Sequence, residues 1–217
     1  MLRGLFVTGT DTNVGKTVVS AALLHRYRDI ASLRYWKPVQ TGIEQDDDTA
    51  EVERLAECET VAGMRLRHPV SPHLAAERCG TEITIASLQA FLPPNAGPLR
   101  WIVEGAGGVL VPLNQRDLMI DLMRTLALPV VMAARSTLGT INHTLLSLEA
   151  LRARSLCVAG VVLCGEPNRD NRAAIERYGQ CAVLGEMPML RPLTRASLGH
   201  WAAKELDPED HLREFLR

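Results

Sequence analysis

Short runs of apolar and β-branched residues alternate along the chain with segments whose apolar residues recur at helical spacing. Leu5-Phe6-Val7 reads as a strand, and the stretch from Gly15 to about Arg28 as a helix. Leu33 to Val39 predicts a second strand, followed by a polar loop and a helix from Asp48 to Cys58. A less regular stretch, Thr60 to Gly80, precedes a helix expected over Ile83 to Leu92. Beyond Pro93-Pro94-Asn95-Ala96-Gly97, Trp101-Ile102-Val103 has the character of a buried strand. Leu118, Leu122 and Leu126 then recur at i, i+4 and i+8, with Asp117 as the expected N-cap. Pro129 to Ala133 and Val158 to Leu163 predict two more strands, separated by a helix whose face carries Ile141, Leu145, Leu148 and Leu151. After Pro192 the pattern gives little guidance.

Uninterrupted apolar strands set between helices predict an α/β fold, a mostly parallel sheet with helices on both faces. In such a sheet ligands sit beyond the carboxyl ends of the strands. Three of those ends carry conspicuous residues: Thr8 to Thr17, Lys37 to Gly42, and Glu104 to Gly108.

Composition narrows the function classes. At 217 residues the chain exceeds the roughly 150 residues of one average domain but falls short of two, so a single domain over 1–217 is expected. Hydrophobic residues make up 47% and charged residues 23%, which excludes disorder and coiled coil as the main architecture. Lys plus Arg total 24 against 25 for Asp plus Glu. With no basic excess or stripe, a nucleic-acid partner is not expected. No apolar run approaches the ~20 residues needed to span a bilayer, and the N-terminus lacks a signal-peptide pattern. The five cysteines form no CxxC pair and read as reduced thiols, so a cytoplasmic location is expected.

The segment Gly9-Thr10-Asp11-Thr12-Asn13-Val14-Gly15-Lys16-Thr17 follows the first strand and opens the first helix. Small residues there let backbone N–H groups surround phosphate oxygens at a helix N-terminus. Lys16 can then reach the β- and γ-phosphates, and the Thr17 hydroxyl can join the shell of a Mg²⁺ ion. The strict pattern fails by one position, because the window begins at Thr10 instead of glycine. The strand–loop–helix context nevertheless predicts a P-loop NTPase-like domain. ATPases of the chromosome- and septum-partitioning type carry a further lysine early in this loop, and none stands before Lys16 here.

Lys37-Pro38-Val39-Gln40-Thr41-Gly42 places a second lysine at a strand terminus, where Pro38 restrains the backbone. A cation held there could stabilise charge that develops during phosphoryl transfer. Only three lysines occur in the chain, and two of them lie in these loops. Asp46-Asp47-Asp48 opens a helix and admits two readings, an acidic N-cap or a Mg²⁺ ligand. Glu104 in Val103-Glu104-Gly105-Ala106-Gly107-Gly108 stands where P-loop enzymes keep a metal-holding carboxylate. Ser71-Pro72-His73 and Gly139-Thr140-Ile141-Asn142-His143 read as loop-to-helix starts, with ordinary capping roles favoured on the residues alone. His73 and His143 have no partner at metal-ligand spacing and are taken as structural.

Taken in order and spacing, the Gly9–Thr17, Lys37–Gly42, Ser71–His73, Val103–Gly108 and Gly139–His143 segments resemble the dethiobiotin synthetase family over Leu5 to about Leu190. The resemblance implies an ATP-dependent ring closure in biotin biosynthesis, with 7,8-diaminopelargonic acid and CO₂ as substrates and Mg²⁺ as cofactor. A carbamate forms on one amine, ATP phosphorylates it, and the second amine closes a cyclic urea. It further implies that Lys37 and Lys16 are catalytic and that Thr17, Asp48 and Glu104 hold Mg²⁺.

By the same resemblance, Asn13, Val14, Gly15, Lys16, Thr17 and Val18 bind nucleotide, as does the run Glu104, Gly105, Ala106, Gly107. Thr12, Thr41 and Ser71 would contact the diamine or its carbamate. A homodimer is implied, in which Gly139, Thr140, Ile141 and Asn142 of the partner take the substrate carboxylate. The adenine would lie near Cys164, Gly165, Pro188, Met189 and Leu190. Cys164 departs from the family, which usually places an Asn at that position. A thiol is the weaker hydrogen-bonding group, so looser discrimination among nucleoside triphosphates is expected. Rival readings are another P-loop amide-forming synthetase and a non-catalytic nucleotide-switch ATPase.

Overall fold

A computed structural model describes residues 2–217. Its centre is a seven-stranded sheet in which every pairing is parallel. The strands are β1 (Arg3–Gly9), β2 (Leu33–Thr41), β3 (Thr60–Leu66), β4 (Arg100–Gly108), β5 (Val130–Arg135), β6 (Val158–Cys164) and β7 (Val183–Met187). They lie side by side in the order β3-β2-β4-β1-β5-β6-β7.

Burial on both faces explains why the central strands read as unbroken apolar runs. Leu5, Val7, Tyr35 and Ile102 belong to a core against α1 (Lys16–Tyr27), α2 (Asp48–Ala56) and α8 (Arg195–Glu205). Phe6, Trp36, Trp101 and Val103 alternate with them and belong to a second core. That second core takes in residues of α3 (Pro72–Arg78), α4 (Ile85–Gln89), α5 (Met119–Leu126), α6 (Thr140–Arg152) and α7 (Arg169–Gly179). The last turn, α9 (Arg213–Leu216), packs beside β1.

Several local expectations change. The irregular stretch Thr60 to Gly80 contains β3 and α3. β3 is an edge strand whose residues are mostly half-buried, so it lacks the apolar run that marks its neighbours. Gly63 fits there because a Cβ would stand 2.1 Å from the Pro38 carbonyl oxygen. The helix expected over Ile83 to Leu92 is shorter, because Thr84 and Ser87 cap each other reciprocally and start it at Ile85. Asp117 does not cap α5. The N-cap is Leu118, whose N–H donates to the Asp121 carboxylate, while Asp117 accepts from the Asn114 amide. Glu104, expected at a strand end, lies inside β4.

Candidate active site

The loop after β1 turns into α1 through Gly15, whose φ of 97° lies in the left-handed region open to glycine. No side chain caps that helix start, which leaves the site available to an anion. Lys16 folds back over the loop and donates to the Asp11 carbonyl at 2.8 Å. Burial, and then the neighbouring Lys37, lower its pKa to about 8. The Arg135 guanidinium donates to the Thr12 carbonyl at 2.9 Å and ties down the loop's tip.

Strand register builds the charged centre. Tyr35 and Trp36 of β2 lie opposite Ile102 and Val103 of β4, which brings Lys37 alongside Glu104. The Lys37 ammonium stands 2.6 Å from Glu104 Oε1 and 2.7 Å from Asp48 Oδ2, and donates to the Gly105 carbonyl at 3.1 Å. Burial alone would lower the Lys37 pKa, but the Glu104 and Asp48 carboxylates outweigh it and the net shift is upward. Burial likewise opposes the charge on Asp48, yet Lys37 beside it carries that carboxyl below its ordinary value. The Thr17 hydroxyl lies 2.8 Å from Asp48 Oδ1 and 3.0 Å from Glu104 Oε1. Two carboxylates and a hydroxyl form the oxygen donor set that Mg²⁺ prefers, with the remaining ligands left to phosphate and water.

The three aspartates have different places. Asp47 caps α2 by accepting from Ala50 N–H and also holds Arg65 at 2.7 Å. Asp48 turns inward to Lys37 and Thr17, while Asp46 offers its carbonyl to the Gln40 amide at 2.6 Å. Gln40 also accepts from Asp48 N–H at 3.1 Å. It therefore fixes the approach of α2 to the site, a role unmarked in the sequence because it sits between Val39 and Thr41 with no chemistry of its own.

A cleft of about 600 Å³ opens over this centre. Its walls include Thr12, Asn13, Gly15, Lys16, Thr17, Val18, Lys37, Thr41, Asp48, Ser71, Glu104, Ala106 and Gly107. Gln40 and Gly42 of the Lys37–Gly42 segment also line it, and Gln45, Pro69, Val70 and Val111 join them without having been singled out from the sequence. Val14 packs into the core beneath the loop, and Gly105 takes part through its carbonyl.

Two groups stand outside the walls. Gly139, Thr140, Ile141 and Asn142 form the start of α6 beyond β5, next to the fully exposed Leu138. Cys164 ends β6 and Gly165 follows it, while Pro188, Met189 and Leu190 continue from the end of β7. The Cys164 thiol lies against the P-loop, since a Cβ at Gly15 would come within 2.8 Å of its sulfur. Burial pushes that thiol up to about 12.

A family model described as an AAA domain matches residues 3–197. The chain is 49% identical over 200 residues to the ATP-dependent dethiobiotin synthetase BioD of Paramagnetospirillum magneticum, covering 91% of this chain and 93% of that protein. The chain belongs to the dethiobiotin synthetase family. A second family member, BioD of Brucella melitensis, is 44% identical, with 95% of each chain covered. The biotin biosynthesis bifunctional protein BioCD of Bordetella avium is 48% identical over 97% of this chain, which spans 44% of that protein's length. Among solved structures, a ParA family ATPase from Chlorobium tepidum aligns with a TM-score of 0.57 at 10% identity, covering 99% of this chain and 96% of that one. The signal recognition particle receptor FtsY of Elizabethkingia anophelis aligns with a TM-score of 0.57 at 11% identity, covering 94% and 66%. At such identities the likeness extends to the P-loop fold that dethiobiotin synthetases share with them.

Proposed function

We propose that this chain closes the cyclic urea of dethiobiotin from 7,8-diaminopelargonic acid, CO₂ and ATP. The supporting observation is the Lys37 ammonium, held between Asp48 and Glu104 where the P-loop meets a cleft walled by Thr41 and Ser71. One substrate amine adds to CO₂ and loses a proton, giving a carbamate. A carbamate oxygen attacks the γ-phosphorus and ADP leaves. The second amine then attacks the carbamoyl carbon, releasing phosphate and a proton as the ring closes.

Each residue role follows from charge. A carbamate is a poor electrophile until its oxygen becomes a phosphate leaving group, and transferring that phosphate brings several anions together. Lys16 and Lys37 neutralise them with side chains that are themselves buried, where fixed charge acts strongly. Thr17, Asp48 and Glu104 would hold Mg²⁺, which supplies further neutralisation of the β- and γ-phosphates. The P-loop from Asn13 to Val18 and the backbone from Glu104 to Gly107 carry the phosphates, and Thr12, Thr41 and Ser71 face the diamine. Cys164, Gly165 and Pro188 to Leu190 border the base.

The same proposal takes residues 1–217 as one synthetase domain acting as a homodimer. The start of α6, Gly139 to Asn142, lies outside its own cleft and is free to meet the substrate carboxylate of a partner subunit. Cytoplasmic location, without nucleic-acid or membrane partners, completes the reading. No described helix is long and apolar enough to cross a membrane.

The test is ADP release by purified protein with Mg-ATP, with and without 7,8-diaminopelargonic acid plus bicarbonate, with the product mass recorded. Release that requires both additions and yields dethiobiotin is expected. Nucleotide binding without diamine-dependent turnover would reject the substrate and favour another synthetase or a switch ATPase.

A further inference from the structure

Glu104 is fully buried and its two oxygens have separate partners. Oε1 faces the working side, with Lys37 at 2.6 Å and Thr17 at 3.0 Å. Oε2 faces inward, with the Tyr35 phenol at 2.9 Å and the Ser20 hydroxyl at 3.0 Å. Those inner donors are not equivalent. Ser20 has one hydroxyl hydrogen and two acceptors in reach, Glu104 Oε2 and the Lys16 carbonyl at 2.9 Å. Tyr35 also has one hydrogen, and Glu104 is its only acceptor among the described residues. The Tyr35 ring is itself fully buried, so the phenol has no water to turn to.

The placement follows from the sheet. Tyr35 and Lys37 are two residues apart on β2 and share a face. With Tyr35 opposite Ile102, the phenol reaches Glu104 diagonally while Lys37 meets it directly. One strand thus supplies the donor for each oxygen of the same carboxylate.

We propose that Tyr35 is a positioning residue: its phenol pins the inner oxygen of Glu104 so that the outer oxygen is presented to Thr17, Lys37 and the divalent cation. This rests on the reading of Glu104 as a metal ligand. Partners that orient metal ligands typically change metal affinity by about 10–100-fold when removed.

The test uses full-length protein and Mn²⁺, titrated by the electron paramagnetic resonance of the free ion in the presence of a non-hydrolysable ATP analogue. Tyr35→Phe keeps the ring and removes only the donor. We expect Mn²⁺ half-saturation to rise about 10-fold or more, with metal-free binding of the analogue close to that of the native protein and the melting temperature lower by about 3–12 °C, the cost of one hydrogen bond to a buried carboxylate. Ser20→Ala, which leaves Tyr35 in place, should weaken Mn²⁺ about threefold or less on the same scale. Unchanged Mn²⁺ affinity in Tyr35→Phe, or a loss in Ser20→Ala as large as tenfold, overturns the proposal. Glu104→Gln separates the two levels. If it leaves Mn²⁺ affinity unchanged, the metal reading itself fails. If it weakens Mn²⁺ while Tyr35→Phe does not, only the role of Tyr35 fails.

Discussion

Replacing Lys37 with methionine keeps most of the side-chain length and removes the charge from the centre of the site. In the native protein that ammonium sits 2.6 Å from Glu104 and 2.7 Å from Asp48, with 3% of its side chain exposed. Without it, Glu104 retains only neutral donors, from Thr17, Ser20 and Tyr35. Removing one member of a buried ion pair typically destabilises a protein by about 3–5 kcal/mol. Asp48 keeps 27% side-chain exposure and some hydration, which places the expected loss near the lower end, about 3 kcal/mol. For a chain of this size that corresponds to a fall of about 6–12 °C in melting temperature. Thermal melts in EDTA measure the loss, and melts in Mg²⁺ should show a larger recovery in the variant than in the native protein, because two carboxylates without a counter-charge attract the ion. Diamine-dependent ADP release should fall about 10²–10³-fold, the usual effect of removing one group aimed at developing charge, while nucleotide still binds. An unchanged melting temperature in EDTA would refute the electrostatic account, and undiminished turnover would refute the catalytic one.

Affinity for metal-free ATP should decline as pH rises through about 8, where free Lys16 loses its proton, approaching a tenfold loss per pH unit above that point. Bound phosphate restores the ammonium, so binding takes up a proton, and Lys16→Arg should flatten the profile measured by calorimetry in two buffers. Comparing turnover with ATP, CTP and GTP tests the base reading: weak discrimination is expected, and strict ATP dependence would sink it. Cys164→Asn should sharpen the preference for ATP about tenfold, the worth of one added hydrogen bond. Asp207→Ala should destabilise the fold by about 2–4 kcal/mol at neutral pH in denaturant titrations, because buried donors lose their acceptor. Those donors are the Tyr27 hydroxyl, Leu212 N–H and His211 N–H. Burial would raise the Asp207 pKa, but these bonds outweigh it and hold it below its ordinary 3.8. Its contribution is therefore present above pH ~4 and lost as pH falls through the folded value, so native and variant stabilities should converge in acid.

Legibility of the site from sequence depended on whether a residue's role is local. Lys16 and Thr17 follow a strand and open a helix, so chain neighbours alone mark them. Lys37 and Glu104 end or occupy apolar runs, where a charge is conspicuous. Tyr35 and Gln40 were invisible for the opposite reason. Each has an ordinary place in a strand, and its role exists only once β2 is registered against β4 or the Asp46–Asp48 loop folds over it. The aspartate triplet could not be resolved residue by residue, since capping and ligation both suit acidic side chains at a helix start. At the fold level, β3 escaped notice because an edge strand with half-buried residues has no apolar run. The polar helix α7 has only Ile175 and Gly179 buried, too few for a readable stripe.

The register that brings Lys37 to Glu104 also constrains the order of events in the proposed reaction. In the free protein one ammonium neutralises two carboxylates, and those carboxylates are the ones assigned to Mg²⁺. A divalent ion held by the same two carboxylates would weaken the reason for Lys37 to stay between them. Metal held by Asp48 and Glu104 would therefore free Lys37 for the γ-phosphate or the carbamate. The lysine's remaining partner here, the Gly105 carbonyl at 3.1 Å, is a neutral acceptor that competes poorly with phosphate or carbamate oxygen. A lysine already buried between the two carboxylates assigned to the metal would not have to be recruited from solvent, and its positive charge would act already desolvated.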